Sequence, residues 1–266
     1  MPASNPSSTN SSKPMSDSPS VLGFLIDSPM MSWGTSSRFN QRETEAYPSK
    51  SALVGMIAAA MGIDKHSPDE AVEIAKLTAL RLTVVRLDRQ QGRLPQRLSD
   101  FHTVGGGYPD TPAGKMNVPP LAEKKRSGKL KWKSPAERTV ITRRTYLTDA
   151  AFITILTGEN EALLAQIQSA LLDPVWGVWF GRKTCIPASP LSPVLAATPR
   201  LAIAALLQKL GRDLAEIDTL EGVTESTGPG AWFPMDQPIA FGQHHGAVPE
   251  AYLSRPIRRL LTGDLP

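Results

Sequence analysis

The chain has 266 residues, 41% of them hydrophobic, a formal net charge of +4 and an isoelectric point near 9.2. That length can bury a full core in one or two domains, and a basic balance suits an anionic partner, either nucleic acid or a membrane surface. Cys185 is the only cysteine, which excludes an internal disulfide and a thiolate metal cluster and fits a reducing, cytosolic setting.

Residues 1–20 are rich in Ser, Pro and Asn with no apolar run, as expected of a disordered tail and not of a signal peptide. Val21 to Ile26 is nearly continuously apolar and predicts a buried strand. A loop should follow from Ser28 to Tyr47, carrying Met30, Met31, Trp33 and Gly34. Pro48-Ser49 then precedes an Ala-rich helix from about Lys50 to Met61, stopped at Gly62. Its apolar stretch, Ala52 to Ile63, is too short to cross a bilayer, so no membrane is expected. Gly55 inside that helix implies close packing. Ser67 to Glu70 has the spacing of a capping box and opens a second short helix. Leu80 to Leu87 alternates partially, as a half-exposed strand would.

The next segment is the most unusual. Between Gly92 and Arg144 the chain sets twelve Lys/Arg against four Asp/Glu, so the remaining residues must sum to −4. Phe101, Tyr108 and Trp132 are interleaved with these cations, a mixture suited to neutralising phosphates and stacking on bases. A solvated charged loop would give the same run. Its place in the chain favours an arm: about sixty residues intervene where a short turn is usual, and loops beyond about 15 residues are generally functional or disordered.

Ala150 to Leu156 reads as a strand and Glu159 to Leu172 as an amphipathic helix with Leu163, Leu164, Ile167 and Leu171 on one face. Val175 to Phe180 should close the pattern as a further strand. The order strand, helix, strand, excursion, strand, helix, strand is the split βαβ arrangement of ferredoxin-like and RNA-recognition-motif folds. Beyond it, a helix is expected from about Arg200 to Leu210, then Gly- and Pro-rich sequence with two short strands.

Nucleotide and metal chemistry find little support. Gly107 to Lys115 is a poor phosphate loop, interrupted by Pro109 and Pro112, and no GxSxG elbow is present. His244 and His245 are adjacent, so on a strand they point to opposite faces, and His66 and His102 are far away in sequence. No cofactor is expected. His102, at the root of the basic arm, could serve as a general acid or base, but spacing supplies no partner base. Lys50 and Ser51 at a helix N-terminus, and Arg182-Lys183 after a predicted strand, each suit an anionic ligand.

In order along the chain, Pro29 to Gly34, Tyr47 to Gly55, Asp100 to Val104, Arg144 to Phe152 and Phe180 to Cys185 resemble the CasD, or Cas-five, family of type I-E CRISPR Cascade subunits. The resemblance covers about residues 21–195 and implies an α+β fold. That fold is a ferredoxin-like (RAMP) domain over 21–195, with a basic β-hairpin thumb inserted at about 90–145 and a small C-terminal extension over 196–266. It also implies a cytoplasmic, non-catalytic subunit that holds the 5′ handle of CRISPR RNA beside the CasC backbone and the large CasA subunit. Target DNA would be met only through the complex. Carried over residue by residue, it implicates Met31, Ser32, Trp33, Lys50, Ser51, His102, Thr103, Arg144, Tyr146, Arg182 and Lys183 in RNA binding. Lys124, Lys125, Arg126, Lys129, Lys131 and Lys133 make this thumb longer and more basic than the family pattern. Two alternatives stand beside this reading: a metal-independent endoribonuclease of the type I-C kind using His102, and a free-standing RNA-binding module.

Overall fold

The computed structural model describes residues 20–35, 37–38, 40–88, 95–104, 122–124, 130–132, 140–242 and 252–265. Strand β1 (Val21–Met31) leads through β2 (Ser37–Arg38) and β3 (Gln41–Arg42) to helices α1 (Lys50–Met61) and α2 (Glu70–Thr78). Strands β4 (Arg81–Leu87), β5 (Gln96–Val104), β6 (Ala122–Lys124) and β7 (Leu130–Trp132) precede the long β8 (Val140–Thr157). Helix α3 (Glu161–Leu172), strand β9 (Val194–Ala196) and helix α4 (Pro199–Lys209) follow. The last strands are β10 (Glu221–Glu225), β11 (Met235–Pro238), β12 (Tyr252–Ser254) and β13 (Ile257–Leu261).

The main sheet runs β13-β10-β4-β8-β1-β9 with every neighbouring pair antiparallel. Period-two alternation divides its strands between two cores. Leu22, Phe24 and Ile26 of β1 join Phe152 and Leu156 of β8 on the face covered by α1, α2 and α3. Val21 and Leu25 join Ile153 and Ile155 on the face covered by α4. A sheet buried on both sides is apolar almost throughout. This accounts for β4: expected to be half-exposed, it is buried along most of its length, with Leu82 and Val84 in one core and Val85 and Leu87 in the other.

Helix α1 has the bounds its sequence predicts. Ser49 caps it by accepting from the Ala52 N–H, and Gly62 ends it in the left-handed conformation. The α3 face of Leu163, Leu164, Ile167 and Leu171 is buried as its spacing requires, with Asn160 as the cap. No helix among the described residues is long and apolar enough to cross a membrane.

Four expectations are corrected. Val175 to Phe180 is not a strand: after Pro174 its N–H groups turn to helix α1, Val175 to the Ala60 carbonyl and Trp176 to that of Ala59, and the strand that next joins the sheet is β9, antiparallel to β1. Strand β1 extends through Met30 and Met31, which pair with Thr148 and Leu147, because β8 offers a partner that far. The capping box at Ser67 does not form. Asp69 holds the cap position without a side-chain bond, and the Glu70 carboxylate turns away to other donors. Among the described residues the C-terminal region carries four strands instead of two, and two of them, β10 and β13, extend the main sheet.

At the root of the long excursion, β5 takes the place of β4 beside β8 and pairs with it from Gln96↔Thr148 to Val104↔Val140. On the other side of β8, β3 runs parallel at Gln41↔Arg143 and Arg42↔Arg144. Farther out, β6 and β7 pair with each other as a separate two-stranded unit.

Candidate nucleic-acid interface

A cleft of about 590 Å³ opens where β1, β3, β8 and the start of α1 meet the loop after α3. Three guanidinium-bearing residues, Arg42, Arg144 and Arg182, line it together with the hydroxyl-bearing Ser32 and Ser51. Glu43 is the carboxylate at its wall, and it accepts from the Thr145 hydroxyl at 3.1 Å. Among the described residues no carboxylate pairs with any of the three arginines, whereas Arg86, Arg200, Arg212 and Arg255 are all paired. Four of the residues picked out in sequence, Ser32, Ser51, Arg144 and Arg182, therefore come together from four separate segments.

The loop carrying Arg182 is held rigidly. Phe180 donates its N–H to the Cys185 carbonyl at 2.7 Å, Cys185 donates back to Arg182 at 2.8 Å, and the Ser32 N–H is bonded to Phe180 at 3.0 Å. Gly181 sits at φ +94°, and a Cβ there would lie 1.8 Å from the Ser32 carbonyl oxygen, so this close approach needs glycine. Arg182 leaves the loop with its guanidinium 4.5 Å from the centre of the Tyr146 ring. It donates to the Thr145 and Arg42 carbonyls at 3.1 and 3.0 Å. Tyr146 is buried and acts as the shelf beneath this arginine. Lys183 lies 5.7 Å over the ring of Trp179, which also lines the cleft.

Other expected residues are placed differently. Met31 is fully buried and Trp33 is 1% exposed; Trp33 packs at 6.0 Å on Phe180 and is core, not surface. Its backbone N–H is held by Thr44 at 2.8 Å. Lys50 is 2% exposed, which corrects its expected role as a phosphate ligand. Its Nζ donates to the Thr78 carbonyl at 2.7 Å and pairs with Glu225 at 2.8 Å. Arg255 joins Glu225 at 3.1 Å to Asp236 at 2.6 Å, and Asp236 accepts the Lys50 backbone N–H at 2.8 Å. The positive end of α1 is thus neutralised by the chain's own carboxylate instead of an external anion. Burial pushes the Lys50 ammonium below its ordinary pKa, with Glu225 opposing the shift.

His102 and Thr103 lie on β5, opposite Thr142 and Ile141, and do not line the cleft. His102 Nδ1 is 3.6 Å from Asp100, and Asp100 stands opposite Arg144. Lys124 lies on β6 and Lys131 on β7, while Lys125, Arg126, Lys129 and Lys133 are outside the described residues, as are His244 and His245.

Sequence reasoning missed Arg42, Trp179 and Phe241. Arg42 lies in a two-residue strand that no periodicity marks. Trp179 falls in the segment misread as a strand. Phe241 comes from the poorly legible C-terminal region; its N–H and that of Gly242 are accepted by Glu70 at 2.6 and 3.0 Å, and its ring lies over Gly55. The expected close packing at Gly55 is therefore against this ring.

Residues 21–228 match the family described as CRISPR-associated protein (Cas_Cas5). The chain is 27% identical over 176 residues to the CRISPR system Cascade subunit CasD of Escherichia coli (strain K12), covering 65% of this chain and 69% of that one. A solved structure described as a CRISPR RNA-guided surveillance complex is 27% identical, with a TM-score of 0.60 over 91% of this chain and 90% of that chain. Another, described as a Cas protein, is 25% identical, with a TM-score of 0.52 over 91% and 94%.

Proposed function

The chain belongs to the Cas5 family of CRISPR-associated proteins, and from that premise we propose that it is the CasD-type subunit of a type I-E Cascade complex, holding the 5′ handle of CRISPR RNA without cutting it. The observation that carries this reading is the cleft, where Arg42, Arg144 and Arg182 converge, without carboxylate partners among the described residues, beside Ser32 and Ser51. Guanidiniums suit phosphate capture, Arg182 being pre-positioned on two carbonyls and the Tyr146 ring and Arg144 on the Thr142 hydroxyl, and hydroxyls suit sugar and phosphate contacts. The strand order β4-β8-β1-β9, with helices α1 and α3 on one face, supports the ferredoxin-like RAMP assignment over residues 21–195. The β5–β8 ladder supports a thumb that rises from the cleft edge at about 90–145. In this reading CasC and CasA flank the subunit, the basic thumb lies along the guide or a neighbour, and target DNA is met only within the complex. The setting is cytoplasmic, and no cofactor is involved.

The test is titration of the purified chain with repeat-derived RNA. Arg144→Ala and Arg182→Ala should each weaken binding about tenfold; wild-type affinity in both would overturn the assignment. One observation keeps the endoribonuclease reading alive: the Asp100–His102 pair stands on the ribbon near Arg144. Incubation with repeat RNA in EDTA should leave the RNA intact. Cleavage at one position, abolished in His102→Ala, would replace the binding role with a catalytic one. Co-expression with neighbouring genes should yield a multi-subunit particle carrying a defined short RNA, and a lone chain would favour a free-standing module.

A further inference from the structure

We propose that Trp179 is the platform on which one base of the bound RNA stacks, an inference that rests on reading the cleft as the RNA site. Trp33, Trp176, Trp179 and Trp232 differ sharply in placement. Trp33 is buried core, Trp176 lines a separate apolar pocket with Ile63 and Ile74, and Trp232 lies beside Arg258 and Arg259. Trp179 alone among them shares the cleft with Arg42, Arg144 and Arg182.

Its position is fixed by its surroundings. A Cβ on Gly177 would come within 2.6 Å of Trp179 Cζ3 and 3.2 Å of Cη2, so the benzo ring lies directly against the backbone of Gly177. Gly181 donates its N–H to the Trp179 carbonyl at 3.1 Å, and the Phe180–Cys185 bond closes the same loop. The backbone that carries the indole is therefore held in the same loop as Arg182 and Lys183, three and four residues on, with the Lys183 ammonium 5.7 Å from the ring centre. A nucleotide whose phosphate is held by Arg182 would bring its base to the indole. Every base has a π-face, so such a platform would add affinity with little dependence on base identity. Lys183, over the same ring, would serve the neighbouring phosphate.

The test is an abasic scan. A labelled repeat-derived RNA of about ten nucleotides is made with single abasic sites, and its affinity for the full chain is measured position by position. Wild type should lose about tenfold at one position. Trp179→Ala should lose about tenfold with intact RNA and show no further loss at that position, and Trp179→Phe should keep most of the affinity. Gly177→Ala, which keeps the indole but displaces it, should resemble Trp179→Ala. The salt dependence of binding should be unchanged in Trp179→Ala but reduced in Arg182→Ala. Wild-type affinity in Trp179→Ala, or undiminished sensitivity of that variant at the critical position, overturns the platform. Should Trp179→Ala fail to fold, the scan on wild type and Trp179→Phe decides: a flat profile in both rejects the proposal. If wild type binds no RNA, or if the arginine variants bind normally, the reading of the cleft fails and the platform falls with it, an outcome distinct from failure of the platform alone.

Discussion

Lys50 shows how one side chain can fit a functional motif and still have a structural role. Its place at a helix N-terminus reads as an anion site, but its ammonium is enclosed by Glu225 and the Thr78 carbonyl. The carboxylates that claim it and its N–H come from residues 225 and 236, which no local pattern connects to residue 50. Removing one member of a buried ionic network leaves the others uncompensated. Lys50→Met should therefore lower unfolding free energy by about 3 kcal/mol, read by denaturant titration. The pH dependence has a definite sign. Because burial depresses the Lys50 pKa in the fold, the unfolded chain binds the extra proton between the folded value and the ordinary 10.5. Wild type should thus gain stability relative to Lys50→Met as pH rises through that window. A gap that narrows with rising pH would contradict the assignment. Gly181→Ala tests the loop instead of the network. A methyl group 1.8 Å from the Ser32 carbonyl, at positive φ, cannot be accommodated in place. The variant should lose at least about 2 kcal/mol and, through displacement of Arg182, its RNA affinity.

Among the elements, helices α1 and α3 were legible because α1 carries its own start, Ala-rich interior and stop, and α3 its own apolar face and stop. The segment 175–180 was misread because its apolar residues imitate a strand, whereas Pro174, Gly177 and Gly181 redirect its backbone to α1 and Ser32. Strand β8 was legible only in its second half. Ala150 to Leu156 lies between β1 and β4 in the buried sheet, whereas the first half pairs with β5 and keeps exposed positions such as Ile141. The stretch just after β11, ending at Gly242, is a strap whose anchor, Glu70, looked like part of a capping box. That carboxylate is 2% exposed and accepts two backbone N–H groups. Glu70→Leu leaves both donors unpaired at a cost of about 1–3 kcal/mol. Amide hydrogen exchange at Phe241 and Gly242 should then accelerate well beyond that of α1. Equal protection in both proteins would mean that the strap is held by something other than Glu70.

At the scale of the whole molecule, charge is partitioned by use. The cations that support the fold, Lys50 and Arg255, are buried against Glu225 and Asp236, while Arg42, Arg144 and Arg182 face a shared cleft without carboxylate partners among the described residues. Net charge could not separate the two groups, because a +4 total is compatible with either arrangement. The sequence located the excess between residues 92 and 144 but could not bring Arg42 and Arg182 to it, since that convergence depends on β3 pairing with β8 and on the Gly181 contact with Ser32. Salt dependence distinguishes the two kinds of cation directly. Each phosphate neutralised on a single strand contributes about −0.7 to the slope of log affinity against log salt. The three cleft arginines and Lys183 therefore contribute about −2.8 to that slope, measured between low and physiological salt. Arg144→Ala and Arg182→Ala should each make it shallower by about 0.7, and their combination by about 1.4. Lys50→Met, compared under conditions where it remains folded, should leave the slope where it was, because its charge never meets the ligand. If Lys50→Met flattens the slope as much as Arg182→Ala does, the buried network opens when RNA binds and the division between structural and ligand-facing cations is wrong.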